Sequence, residues 1–280
     1  MPNTQVPTIE LLSGASMPGF GFGTGGRRLS NEAAPAVVRQ AIEAGYRLFD
    51  TAENYGNEQG VGAGIRESGI ARDEIFITTK LNARWHGLDG VARAFEASAA
   101  RLGLDTIDLF MIHWPNPAQD RYVEAWKGMI RLREAGHVRA IGMSNFKPVH
   151  LDRIMAETGV VPDVNQIELN PYVTREAERA YHRRHGIVTQ SWAPLGKAGP
   201  LLAEPVVAAA AARHGRSPSQ VVLRWIVENG VVPQPGSLNP AHMAENLAAL
   251  DFSLTPEEVT AIAGLNGRQV EITDSDVFGH

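Results

Sequence analysis

The sequence contains no cysteine. That excludes disulfides, thiolate nucleophiles and cysteine-ligated metals. It has no run of lysines or arginines, and its formal net charge of −5 comes from interspersed acids and bases. Neither nucleic acid nor an anionic membrane is therefore an expected partner. No uninterrupted apolar stretch approaches the ~20 residues that span a bilayer. The opening Met1-Pro2-Asn3-Thr4-Gln5 has neither the basic nor the apolar region of a signal peptide, so the expected location is cytoplasmic. Low-complexity linkers and shifts of composition are lacking too, and residues 1–280 read as one domain. No coiled-coil pattern or apolar interface run stands out, which favours a monomer.

What is present is a repeating alternation. Short apolar segments read as strands at Gly19–Phe22, Arg47–Asp50, Ile75–Lys80, Ile107–His113, Val138–Ser144, Val164–Glu168, Ile187–Trp192 and Val231–Pro233. Most are continuous apolar runs, the pattern of parallel strands buried on both faces. Helical periodicity fills the intervals: Ala33–Ala44, Glu58–Ser68, Val91–Leu102, Val123–Glu134, Val149–Glu157, Arg175–His185, Val206–His214 with Ser219–Glu228, and Ala241–Leu250. Asn31 and Asp89 stand where N-caps are expected. Gly45, Gly69, Gly103, Gly136, Gly159, Gly186 and Gly230 stand where helices should end. Eight such units fit an α/β fold closed as a (β/α)8 TIM barrel, for which ~250 residues is typical. An additional N-terminal hairpin, Thr8–Glu10 with Ser16–Met17 around Ser13-Gly14, is expected to plug the barrel bottom.

Active sites of such barrels lie at the C-terminal ends of the strands. There the chain places Asp50 with Tyr55 five residues on, then Lys80, His113, Ser144-Asn145, Gln166 and Gln190-Ser191-Trp192. Each residue alone has a structural reading: a capping aspartate, a solvated lysine, a satisfied core histidine. Asp, Tyr, Lys and His at the ends of three consecutive strands suit one chemistry together. Reducing a carbonyl needs a hydride on carbon and a proton on oxygen. A phenol with a pKa of ~10 is a weak acid at neutrality. The Lys80 ammonium is expected to lower it by favouring the phenolate, with Asp50 holding Lys80 charged. His113 is expected to donate to the carbonyl oxygen. The catalytic set is thus Asp50, Tyr55, Lys80 and His113, with Tyr55 as proton donor.

These residues sit in longer blocks: Gly21-Phe22-Gly23-Thr24, Phe49-Asp50-Thr51-Ala52-Glu53-Asn54-Tyr55-Gly56-Asn57-Glu58, Thr78-Thr79-Lys80-Leu81, Leu109-Phe110-Met111-Ile112-His113-Trp114-Pro115, Ile141-Gly142-Met143-Ser144-Asn145-Phe146 and Asn165-Gln166-Ile167-Glu168. In that order they resemble the aldo-keto reductases along nearly the whole chain, in particular bacterial reductases of small aldehydes, ketones and keto-sugars. The resemblance implies a catalytic tetrad of Asp50, Tyr55, Lys80 and His113 and a small-molecule carbonyl substrate. It also implies a nicotinamide whose carboxamide is held by Ser144, Asn145 and Gln166 and whose ring stacks on Trp192. Gly23, Thr24 and Asp50 would border that coenzyme, with Leu195, Gly196 and Lys197 along its pyrophosphate and Ser237, Asn239, His242, Glu245 and Asn246 at its adenosine end. Substrate would meet Phe22, Tyr55, Trp85, His113 and Trp114. Pocket identity would reside in the loops Asn82–Gly87 and Trp114–Asp120 and the tail Gln269–His280.

Two regions depart from the family. Where Pro-Lys-Ser and a following Arg are usual, this chain has Pro235-Gly236-Ser237 and His242. Those cations ordinarily clasp a 2′-phosphate, so both NADPH and NADH are expected to serve. His242 would help the phosphate more in acid, since an ordinary imidazole titrates near pH ~6.5. Arg213 or Arg216 could reach in from elsewhere. At Gly25 the family often has a bulky apolar residue, and its loss should widen the pocket mouth.

Other readings stay open at this stage. Gly21-Phe22-Gly23-Thr24-Gly25-Gly26 matches the glycine pattern of a Rossmann turn, although Arg27 to Asn31 intervene before the helix. Lys80 could form an imine in a Schiff-base enzyme. A non-catalytic, nicotinamide-binding regulatory subunit could use the same barrel. No metal is expected, because neither a His-x-His nor a carboxylate cluster is present.

Overall fold

Continuous apolar runs become strands that are buried from both sides. A computed structural model of the chain describes residues 6–25, 29–196, 200–269 and 271–278. A hairpin comes first, β1 (Thr8–Glu10) paired antiparallel with β2 (Ser16–Pro18). Eight parallel strands follow: β3 (Phe22–Gly23), β4 (Leu48–Asp50), β5 (Phe76–Leu81), β6 (Ile107–Ile112), β7 (Val138–Ser144), β8 (Val164–Glu168), β9 (Val188–Trp192) and β10 (Val231–Pro233). They pair in sequence order from β3 to β10. Every residue of β5 and β6 is buried, as a strand between barrel interior and helices must be. Gly21 N donates to Pro233 O and Gly23 N to Pro235 O, both at 3.1 Å, and these bonds close the first strand onto the last. The architecture is the (β/α)8 barrel expected.

The helices are α1 (Ala34–Ala44), α2 (Glu58–Ser68), α3 (Leu88–Leu102), α4 (Tyr122–Glu134), α5 (Pro148–Thr158), α6 (Glu176–His185), α7 (Pro205–His214), α8 (Pro218–Glu228), α9 (Pro240–Leu247) and α10 (Pro256–Ala263). All seven glycines expected at helix ends have positive φ, from 68° at Gly103 to 112° at Gly45. The two expected N-caps differ. Asn31 accepts from Gly60 N of α2, while Ser30 Oγ accepts from Ala33 N at the start of α1. Asp89 lies inside the first turn of α3, where Gly87 is the cap; an acid there still favours the positive helix end. The strand-and-helix reading passes over α10, although Thr255-Pro256-Glu257-Glu258 spells its capping box. Thr255 Oγ1 accepts from Glu258 N, and Glu258 Oε2 accepts from Thr255 N.

The hairpin does plug the bottom. Met17 is fully buried among Leu48, Leu109, Met111, Val164 and Val232, the apolar filling of the barrel interior. Ser13 N of its turn donates to Asp163, just before β8, at 2.7 Å. The rim at the opposite, C-terminal end is left to the loops.

Candidate active site

The loop after β4 carries the first two residues of the predicted site. Asp50 closes the strand, and a single 3-10 turn, Glu53–Tyr55, brings Tyr55 back over it. Asn57 accepts from Thr51 Oγ1 at 2.8 Å and donates to Thr24 O at 2.9 Å, which ties that loop to the first strand. Lys80 reaches up from β5 and is fully buried. Its ammonium donates to both Asp50 oxygens, at 2.6 and 2.8 Å, to Thr51 O at 3.1 Å and to the Tyr55 hydroxyl at 3.4 Å. His113 follows β6, its ring edge-on to Tyr55 with centroids 5.7 Å apart. The four residues expected from three strand ends therefore meet.

Their electrostatics correct one expectation. Burial works against the Lys80 ammonium, but Asp50 and Tyr55 outweigh it and hold its pKa above the ordinary lysine value. Burial pushes the Tyr55 phenol up as well, and Lys80 pulls it back without overcoming that rise. Tyr55 is thus a firmly protonated acid in the free protein, not a phenol already brought down toward neutrality. Low dielectric penalises the phenolate more than one shared ammonium relieves it. The same geometry answers the imine alternative. An ammonium that is buried, charged and directed at four oxygens lacks the free amine a Schiff base requires.

A cavity of 1110 Å³ opens over this cluster, and Phe22, Asp50, Tyr55, His113 and Trp114 line it at one end. It continues past Gly23, Thr24, Ser144, Asn145, Gln166, Trp192, Leu195 and Gly196 to Ser237, Asn239 and His242. These residues suit a nicotinamide. Gln166 gives its amide nitrogen to Gln190 Oε1 at 2.9 Å, so its oxygen is the group left to accept from a carboxamide. Asn145, at φ 65°, donates to His113 O and Ser144 Oγ. Asn145 Oδ1 accepts from the Trp192 indole at 2.8 Å, which fixes that ring's orientation at the wall. The far end has a main-chain cradle. A Cβ on Gly236 would stand 2.5 Å from the Gly23 carbonyl oxygen, so only glycine lets the last strand lie this close to the first.

Several expected residues fall elsewhere. Trp85 lies away from the cavity. Its indole donates to both Glu53 oxygens at 3.0 and 2.9 Å, and the Arg84 guanidinium lies 4.9 Å from its ring centre. It braces the turn that carries Tyr55, because the Glu53 carboxylate offers a stronger partner than a substrate pocket. Glu245 accepts from Ser217 Oγ, and Asn246 is buried beside Tyr46; neither lines the cavity. Arg213 pairs with Glu258 at 3.1 Å and Arg216 lies over Phe252, so neither reaches toward His242. Lys197 lies outside the described residues. Gly25 does not leave a gap over the pocket: a Cβ there would stand 2.9 Å from Tyr55 Cζ, because the main chain itself has closed onto the phenol. The Rossmann reading of this glycine segment fails, since β3 feeds a loop and α1 begins only at Ala34. Asn54, Leu238 and Phe278 line the cavity without having been singled out from the sequence. Phe278 had a signal, as the sole aromatic of the predicted tail.

Comparison with known proteins agrees with this arrangement. The model of the Aldo/keto reductase family matches residues 19–266. The chain is 45% identical to 2,5-diketo-D-gluconic acid reductase B of Corynebacterium sp. (strain SHS752001) over 276 residues, 99% of this chain and 98% of that protein. It is 42% identical to the methylglyoxal reductase DkgA of Salmonella typhimurium (strain LT2), covering 98% of each. Among solved structures, a variant of Gox0644 in complex with NADPH superposes with a TM-score of 0.93 at 41% identity, covering 99% of this chain and 100% of that one. The Bombyx mori aldo-keto reductase in complex with NADP gives 0.89 at 36% identity, covering 97% and 96%.

Proposed function

The chain belongs to the aldo/keto reductase family, and from that premise we propose which groups carry its chemistry and which carbonyls it takes. The protein is an oxidoreductase that reduces a carbonyl to an alcohol with a nicotinamide coenzyme. The observation that carries the finer reading is the Lys80 ammonium, buried behind the large cavity and held between Asp50 and Tyr55, which both line it.

The coenzyme, when bound, supplies the hydride to the carbonyl carbon. Gln166, with Ser144 and Asn145 beside it on the cavity wall, would hold its carboxamide, and the fixed ring of Trp192 would offer the nicotinamide a face to stack on. Tyr55 gives its hydroxyl proton to the carbonyl oxygen. The phenolate left behind is stabilised by Lys80, whose charge Asp50 maintains. This stabilisation acts on an ion formed in the reaction, so it accelerates the step without needing Tyr55 to be acidic beforehand. His113, its ring edge-on to Tyr55, orients the carbonyl.

The relatives named for their substrates act on 2,5-diketo-D-gluconic acid and methylglyoxal. Both are small molecules that carry more than one carbonyl. We place the substrate of this chain in that class. Oxidation of NADPH by methylglyoxal and by 2,5-diketo-D-gluconate tests it. Tyr55→Phe should lower turnover by ~10²–10⁴-fold, the span of acid–base catalysis, with coenzyme affinity retained. Unchanged turnover would remove Tyr55 from its role.

We further propose that NADPH and NADH both serve. His242 lines the adenosine end of the cavity, and Gly236 brings no cation there. His242→Arg should raise the NADPH:NADH ratio of kcat/KM by about ten-fold or more, since a charged hydrogen bond contributes ~1.5–3 kcal/mol. A lysine at 236 is a poor test, because its Cβ collides with Gly23. A ratio that His242→Arg leaves unmoved would mean other residues grip the phosphate.

A further inference from the structure

The last described residues, 271–278, return across the mouth of the barrel. Burial does little to hold them. Ile272 is exposed, Val277 is 87% exposed, and a cavity of 310 Å³ lies beneath residues 272–275. Gln269 ties the base of the segment to Glu168 at 2.9 Å. Beyond that point ion pairs hold Asp274 and Asp276. Lys147 Nζ, at the start of α5, donates to Asp274 Oδ1 and Asp276 Oδ2, both at 2.6 Å. His150 Nδ1 accepts from the Lys147 N–H at 3.2 Å, so the ring's proton is on Nε2, which meets Asp276 Oδ1 at 3.1 Å. That contact holds with a neutral imidazole. Asp274 in turn shapes the end of the chain. Its carboxylate accepts from Asp276 N and its carbonyl from Phe278 N, each at 3.0 Å. The clasped turn thus aims Phe278, whose ring meets Trp114 edge-on with centroids 4.7 Å apart. Trp114 stacks on His113, so Phe278 walls the end of the cavity where the carbonyl must sit.

We propose that Lys147 is a positioning residue for substrate selection: its clasp on Asp274 and Asp276 seats the tail so that Phe278 closes the substrate end of the cavity. The inference rests on the carbonyl-reductase reading above. With the clasp made, a small carbonyl is confined against Tyr55 and His113. With it broken, the wall swings out, small substrates lose their contacts, and bulky ones lose nothing. The clasp is exposed, so salt weakens it. The Debye length falls from ~10 Å at 0.1 M to ~3 Å at 1 M.

Lys147→Ala should raise KM for methylglyoxal roughly five-fold, the scale of two exposed ion pairs acting together. The kcat and the NADPH Kd should stay as in wild type, and Lys147→Arg should restore KM. Phe278→Ala should raise KM by a similar factor, and adding Lys147→Ala to it should add nothing further. High salt should raise the wild-type KM and leave that of Lys147→Ala unmoved. Independently of activity, amide exchange over residues 271–278 should quicken in Lys147→Ala. Unchanged KM with unchanged exchange overturns the proposal, and so do fully additive effects of the two substitutions. Should wild type reduce no carbonyl at all, the functional reading fails by itself, and the exchange measurement still decides the clasp.

Discussion

The two ends of this barrel each bury carboxylates at strand ends, and they put them to opposite uses. At the bottom, Asp108 accepts from Ile77 N at 2.8 Å and from Arg72 at 2.7 Å, with Arg139 at 3.1 Å. Asp163 accepts from Ser13 N and Ile141 N at 2.7 and 3.0 Å. Main-chain amides and guanidinium groups do not release protons near neutrality. These carboxylates therefore weld strands, loops and the hairpin together. At the top, Asp50 spends both oxygens on one ammonium, and that ammonium touches a phenol. Every member of the second cluster beyond the carboxylate can hold or yield a proton. Burial is the same at both ends; what differs is whether the partner can titrate.

The comparison breaks most sharply at Lys80. Lys80→Met should cut turnover by at least ~10²-fold. It removes the group that lowers the Tyr55 pKa, so that pKa, already raised by burial, rises further. Tyrosine donates as the neutral acid. The alkaline limb of the reduction should therefore move to higher pH even as the rate falls. A lost rate with an unmoved limb would mean that Lys80 acts only on folding.

Asp163→Ala should do the converse. The buried Ile141 amide loses its acceptor at ~1–3 kcal/mol and the part-buried Ser13 amide loses less, so unfolding stability should drop by about 2–4 kcal/mol. Turnover per folded molecule should be little changed. Urea unfolding and active-site titration together measure both quantities, and a large loss of turnover in the folded fraction would erase the distinction between the two ends.

A smaller effect comes from the titration of two buried histidines. His182 Nδ1 faces Thr189 Oγ1 and its Nε2 faces the Asn165 amide, both at 2.9 Å, an arrangement that suits a neutral ring. Burial, then His185, pushes its pKa down to about 4; burial, then Arg121, does the same to His86. An unfolded histidine takes its proton near pH ~6.5. The unfolded state thus binds more protons between those values. Stability is complete above the unfolded pKa and is lost as pH falls toward about 4, by on the order of a few kcal/mol. His182→Gln should flatten part of that slope in urea midpoints taken across the range. An equally steep slope would place the loss elsewhere.

Some of this was legible in the residues alone. The barrel, its order of strands, the helix-end glycines and the meeting of Asp50, Tyr55, Lys80 and His113 all follow from local signals. Periodicity, capping chemistry and strand ends act within a few positions, and a closed barrel converts strand ends into one mouth. The omission of α10 was a local signal unread, since its capping box is written in the sequence.

The remainder depended on groups far apart in the chain. Trp85 reads as a pocket aromatic until Glu53, thirty-two positions away, claims its indole. Gly25 reads as missing bulk until the main chain is seen against Tyr55. Gly236 reads as a lost cation, and only the closure of the last strand onto Gly23 shows that no side chain fits there. The direction of the Tyr55 pKa belongs here too. The sequence by itself determined which groups share the mouth of the barrel. The tertiary structure decided how dry that mouth is and what touches what across it, because desolvation and close approach are sums over neighbours that no local pattern records.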